Sequence, residues 1–294
     1  MTMKTKSKLN RVTAFDVILA IILIAFCATI ILPFIHIIAV SFSHKNYVIS
    51  GSVSFWPKGF SFNNYIELLS DGRFFQAYKN TLFITIVGTA LSLSTTAMAA
   101  YALSRRRMVG HGIYSGMITV TMFFGGGMIP TYMLITSLGL QDNLWALILP
   151  GMISTWNLII MRSFFVAYPQ EIVESGYLDG LTDAGVFFRL VLPTSKAALA
   201  TIGLYYAVGY WNSYMSARLY IRSPELMTAQ QLLQDMVQNY AVDNIINGEN
   251  ENTHLVTSSV RNCAIMIVIT PIMCVYPFIQ KYFVKGVMVG SIKG

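Results

Sequence analysis

The polar residues able to do chemistry cluster in few places along the chain. The most concentrated stretch runs from Pro169 through Glu171, Glu174, Ser175, Gly176, Asp179, Gly180 and Asp183 to Pro193, and holds four of the 13 acidic residues. Pro169 suits a helix start, and Glu171 and Glu174 complement the positive end of the helix that follows. Gly180 suits its end, where a left-handed residue closes the last turn. A second short helix from about Asp183 presents Val186, Phe187 and Leu190 before Pro193 ends it. Two short helices at a bend make a compact knob, which is a protein-docking element; solvated helix-start carboxylates are the plainer alternative.

A second group is aromatic. Tyr205, Tyr206, Tyr210, Trp211, Asn212 and Tyr214 lie close together, and Tyr206, Tyr210 and Tyr214 share one helical face by their spacing. Such rings can stack on the apolar face of a sugar, with Asn212 bonding hydroxyls; Trp156 and Asn157 offer the same pair of groups. An aromatic belt with helix packing is the plainer explanation. Neither catalysis nor metal binding is indicated. Cys27, Cys263 and Cys274 sit in apolar runs, and His36, His44, His111 and His254 are scattered without ligand spacing. No glycine-rich phosphate loop precedes a lysine, and Gly125, Gly126 and Gly127 fall inside an apolar run, where they either loosen or break a helix or let another helix pack closely.

The elements that carry these groups follow from composition. Of the 294 residues 55% are hydrophobic and 11% charged, with mean hydropathy +0.58. Soluble domains carry about 25% charged residues, so the chain's main solvent is lipid and the prediction is an all-α polytopic membrane protein. Stretches of about 20 apolar residues place six spans near 17–40, 82–103, 113–135, 144–162, 197–215 and 264–283. The first is too long for a signal-peptide core and lacks a cleavage site, so it is expected to be retained. Residues 1–16 and 284–294 form cytoplasmic tails on a permease domain of 17–283. Thirteen of the 20 basic residues, including Arg105, Arg106 and Arg107, then face the cytoplasm, which puts both termini inside. The net charge of +7 belongs to those loops and does not indicate nucleic acid.

The knob lies within a cytoplasmic loop, 166–196. Two long external segments, 41–80 and 216–262, are docking candidates. The first carries Trp56 and a short helix over 65–69. The second carries an amphipathic helix over 228–240, with Gln231, Gln234, Asn239 and Asn247 as candidate contacts for an external protein. The cores of spans two to six hold no ionisable residue. Proton relays and ion pathways use such residues, so the energy for transport is expected from outside the membrane domain. The rival reading is an ion-gradient-driven secondary carrier or channel acting without an ATPase.

Glu174-Ser175-Gly176, three residues, then Gly180, and further on Leu192-Pro193 resemble the EAA loop of ABC-importer permeases. The longer pattern from Pro169 to Pro193 resembles the maltose-type carbohydrate-uptake subfamily. Asn63-Asn64-Tyr65, Asn80-Thr81-Leu82, Ala99 to Arg105 and Tyr276 to Phe283 extend the likeness over nearly the whole chain. Ser175 and Gly176 stand where the pattern has two alanines. The resemblance implies a type I importer permease fold and a non-enzymatic transport subunit in the bacterial cell membrane. It implies pairing with a second, related permease and coupling through Glu171, Glu174, Ser175, Gly176, Asp179 and Gly180 to two copies of a cytoplasmic ATPase. ATP and Mg are used by that ATPase, and no cofactor is bound by this chain. An external solute-binding protein delivers a sugar, expected to be an oligosaccharide.

Overall fold

The computed structural model describes residues 13–70, 72–105, 107–246 and 259–277. The basic residues expected in the two tails, and Asn247, lie outside them. The regular elements of the described residues are all helices, with no strand among them. By contact the chain divides into two units, 1–68 with 239–266 and 69–238 with 267–294.

In the first unit, α1 (Ala14–Ser41) begins at a capping box in which Thr13 accepts from the Asp16 N–H and Asp16 answers the Thr13 N–H. These bonds hold the Asp16 carboxyl below the usual range. At 28 residues and 1.5 Å per residue the helix is about 42 Å long. Phe15, Ile21, Ile24, Phe26 and Ile30 are exposed along it, as lipid contact requires. The segment after α1, expected to be external, is ordered by its own bonds. The His44 N–H donates to Lys58 and Gly59 carbonyls, the Asn64 amide to Ser43 O at 3.1 Å, and the Tyr65 hydroxyl to Ser41 Oγ at 2.9 Å. Phe42 stacks on Phe60 at 5.5 Å. The short helix expected over 65–69 is α3 (Asn63–Ser70), preceded by α2 (Lys45–Ile49), and Lys45 pairs with Glu67 at 2.5 Å.

The second unit is organised around α4 (Gly72–Ser104), which begins ten residues before the expected span. Its buried positions Gly88, Ser92, Thr96 and Ala100 recur every four residues, a stripe of small side chains that lets another helix approach closely. Helix α12 (Lys196–Trp211) fills it: a Cβ on Gly88 would lie 2.8 Å from the Tyr210 ring.

The third expected span is two helices, α5 (His111–Phe123) and α6 (Met128–Ser137), bent by 112°. The glycine run causes the break, and Gly127 has φ +83°, a conformation natural to glycine. The fourth is also interrupted: α7 (Trp145–Ile148) and α8 (Thr155–Val166) flank 149–154, where Pro150 and Gly151 stand. At 12 residues α8 is about 18 Å long, against a hydrocarbon core of about 30 Å. The fifth ends earlier than expected and continues as α13 (Tyr214–Tyr220). The external helix expected over 228–240 is α14 (Ala229–Ile246), and the last described helix, α15, is Ser259–Pro277. Helices α1, α4 and α15 are each long and apolar enough to cross a membrane, and two bent pairs pass that test jointly.

Candidate functional site

The acidic segment folds as the two-helix knob its sequence suggests. Helix α9 (Gln170–Leu178) follows Pro169 and carries Glu171 in its first turn. It stops at Gly180, φ +78°, where the Leu181 N–H donates back to Gly176 O at 3.0 Å. Helix α10 (Asp183–Val186) is capped by Thr182 and runs through a π-turn (Phe187–Val191) into α11 (Leu192–Thr194). Pro193 has no N–H, and its ring crowds the carbonyl of residue 189, so the regular ladder is interrupted just before it.

The two faces of α9 differ. Val173 and Gly176 are buried, and a Cβ on Gly176 would lie 2.7 Å from Leu190 and 3.2 Å from Val186. Gly176 is therefore the close-packing point inside the knob. Glu171, Glu174, Ser175, Asp179 and Gly180 are exposed, and so is Leu178, at 89%. Ile172 is exposed on the same helix, so α9 presents apolar side chains among its carboxylates. The Tyr177 hydroxyl donates to Asp183 Oδ1 at 2.5 Å and ties α9 to α10. That carboxylate acceptor, with some burial, pushes the Tyr177 pKa up to about 12. Phe187 joins the knob to the membrane helices, with its ring 4.9 Å from Tyr101 of α4 and 6.4 Å from Phe165 of α8.

Farther along α4 lie the expected substrate groups. Tyr206 and Tyr210 are buried. The Tyr206 hydroxyl lies 2.7 Å from Thr96 Oγ1 and accepts from the Ser154 N–H at 2.9 Å. The Tyr210 hydroxyl lies 2.7 Å from Ser92 Oγ and donates to Ile148 O at 3.3 Å. Their hydroxyls thus knit α12 to α4 and to the broken fourth segment, while their rings help line a cavity of about 470 Å³. Asn157 also lines it, together with Trp156, Tyr205, Ser213 and Ser216.

Trp211, Asn212 and Tyr214 do not line that cavity. Trp211 is buried and donates to Val268 O at 3.0 Å, and Asn212 is exposed and accepts from Gln230 at 3.1 Å. Ser213 and Ser216 lie outside the expected set, because nothing in their local sequence marks them until the fold brings them to the cavity.

The second segment expected to be external is pinned where it leaves α13. Asn80 of α4 donates to the Glu225 and Met227 carbonyls at 2.8 and 3.0 Å, and the Ala229 N–H donates to Thr81. Asp142 accepts from the Arg222 and Ser223 N–H groups and from the Ser223 hydroxyl, which holds its carboxyl below the usual range. On α14, Gln231 is buried, with its amide 3.5 Å from Ile221 O, whereas Gln234 is partly exposed. Asn239 lies farther along the same helix. No cluster of metal-binding side chains exists among the described residues.

No family model matches the chain. The polygalacturonan/rhamnogalacturonan transport system permease protein YtcP of Bacillus subtilis (strain 168) is 39% identical over 281 residues, covering 95% of this chain and 98% of the relative. The arabinooligosaccharides transport system permease protein AraQ of the same organism is 28% identical over 241 residues, 81% of each chain. Among solved structures, a chain of a bacterial ABC transporter involved in the import of the acidic polysaccharide alginate superposes with a TM-score of 0.82. It is 30% identical, over 96% of this chain and 100% of that one. With apolar helices fit for a bilayer and these relatives along nearly its whole length, the chain belongs to the integral membrane permease family of ABC importers for sugars and polysaccharides.

Proposed function

We propose that this permease forms half of the translocation path for an oligosaccharide and draws its energy from a separate cytoplasmic ATPase seated on the exposed face of α9. A second, related permease completes the path. An external solute-binding protein delivers the sugar to the side bearing α14, where Gln234, Asn239 and Asn247 are the contact candidates; Gln231, being buried, is left out. Neither ATP nor Mg is bound by this chain; both act in the ATPase, two copies of which serve the permease pair. The permease spans the bilayer six times, with its knob and both termini in the cytoplasm.

The observation that carries this reading is the division of α9 into a buried seam, Val173 and Gly176, and an exposed face of carboxylates and Leu178. A push on that face is passed by α10 and the π-turn to Phe187, then to Tyr101 on α4. Helix α4 holds Tyr206 and Tyr210 at the cavity wall. A rigid helix of 33 residues links the two ends with few soft joints. The test is affinity purification of the tagged permease from native membranes. Co-recovery of an ABC ATPase, a second permease and a solute-binding protein is the expected result. Isolation of the chain alone, with ion-gradient-driven uptake in vesicles, would overturn the reading.

A further inference from the structure

The segment after α1 carries an aromatic tip that the transport path does not use. Phe55 and Trp56 are exposed, Trp56 at 82%, and large rings bared in this way mark a surface that something else covers. The tip is held firmly on both sides. Before it, Val53 is buried in a small core with Ala39, Val40 and Val48. Ser54 O lies 2.8 Å from Nδ1 of His36 on α1; a carbonyl only accepts, so that nitrogen donates. After the tip, the Lys58 N–H donates to Ser43 Oγ at 3.0 Å. Gly59 passes so close to Tyr47 that a Cβ there would lie 2.7 Å from the ring.

The bond to His36 sets the height of the tip. Asp16 and His36 stand 20 residues apart on α1, with no Asp, Glu, Lys, Arg or His between them. On a helix that is about 30 Å, the thickness of the hydrocarbon core. His36 therefore falls at the edge of the core. The chain continues to Ser41 at the end of α1, about 8 Å farther into the headgroup layer, and then returns to the level of His36 at Ser54. His36 is on the exposed side of α1, so the returning chain joins the surface that faces lipid.

We infer that Phe55 and Trp56 form a membrane-interface anchor, and that their partner is phospholipid at the boundary between headgroups and acyl chains. An indole has an apolar body and one N–H, which suits it to that boundary. Lys58, exposed two residues on, is placed to reach headgroup phosphates. A water-soluble protein docking at this end meets the headgroup layer and the end of α1 first, whereas a tip at the edge of the core meets lipid. A rigid anchor of this kind fixes the height of α1 in the bilayer. It also takes this part of the 41–80 segment away from the candidates for docking a protein. The inference rests on the membrane setting of the chain and not on the sugar carried or the source of energy.

The test uses the complete importer, both permeases with the ATPase, in phosphatidylcholine liposomes. The emission of Trp56 is taken as the difference between the unmodified protein and Trp56→Phe, a change at an exposed site that keeps an aromatic ring. Lipid brominated near the headgroup end of its acyl chains is expected to quench that emission at least about twofold more than lipid brominated at the chain ends. Iodide in the water should quench it little, and addition of the loaded binding protein should change nothing. Hydroxyl-radical labelling of the unmodified importer in the same liposomes, read at Trp56 by mass spectrometry, repeats the test without a variant: Trp56 is expected to be shielded with or without the binding protein. Quenching by iodide but by neither lipid, stronger quenching from the chain ends, or quenching by no probe at all would overturn the assignment. So would shielding that appears only with the binding protein, which would make the tip a protein contact.

Discussion

Replacing Gly88 by alanine probes the contact that joins the two central helices. A Cβ at this position would lie 2.8 Å from two ring carbons of Tyr210, about 0.7 Å inside a comfortable carbon contact. The ring is not a floppy tip, because its hydroxyl is fixed by Ser92 at 2.7 Å and by Ile148 O at 3.3 Å. Relief by moving the ring loosens both bonds, at about 1 kcal/mol each; relief by moving the helix overpacks the seam, at about 1–3 kcal/mol. Alanine recovers about 1 kcal/mol of helix propensity over glycine. The net expectation is a loss of about 1 kcal/mol. The assay is thermal unfolding of the purified importer for Gly88→Ala alone and in a Tyr210→Leu background, where the ring is gone and the penalty should vanish. An equal cost in both backgrounds, or no cost in the first, would refute the packing argument.

Further expectations concern the knob and the external loops. Tyr177→Phe removes the tie to Asp183 and should weaken α9 docking onto α10 by about 1 kcal/mol, seen as faster hydrogen exchange over 170–178. Because the folded tyrosine titrates near 12, above its ordinary value of 10.0, the tie is fully present below pH 10 and fades between the two values. Exchange in the unmodified protein should therefore be flat in this respect across neutral pH. Gly180→Ala meets no neighbouring atom but keeps φ near +78°, so it should cost about 1–2 kcal/mol through the backbone alone, read as a lowered unfolding temperature. Asp142 has its carboxyl pKa lowered by the Ser223 and Arg222 bonds. Its contribution is present above the unfolded value of about 3.9 and is lost as the pH falls through the lower folded value. Protease sensitivity of the adjoining external loop should rise in that acid range in the unmodified protein and be independent of acid in Asp142→Asn, since asparagine tolerates the φ of +59° found there.

The knob was legible because its signals are local: Pro169 opens α9, Gly180 closes it, and Thr182 and Asp183 start the next helix within a few residues. The break at Gly127 was legible for the same reason. The interruption over 149–154 was not read from the sequence, although Pro150 and Gly151 stand there, because the apolar run continues across them. The roles of Tyr206 and Tyr210 were only half visible. Their shared face followed from spacing, but their hydroxyl partners Thr96 and Ser92 lie on a helix about a hundred residues earlier. The small-residue stripe at Gly88, Ser92, Thr96 and Ala100 was available from spacing and is the signal that would have found them. Trp211 was assigned to the pathway by proximity in sequence, yet it turns to Val268, a contact that only the folded helix positions create.

The exposed face of α9 as the seat of the ATPase is tested most directly by ATP hydrolysis in proteoliposomes holding the complete importer, with and without its loaded binding protein. Glu174 is exposed and outside the buried seam, so Glu174→Lys reverses a charge on the docking face while leaving Val173 and Gly176 in place. The expected result is that the permease pair still assembles and folds, while hydrolysis no longer responds to the binding protein and the ATPase is lost on purification. Full stimulation with normal ATPase recovery in Glu174→Lys and in Leu178→Asp alike would contradict the coupling assignment.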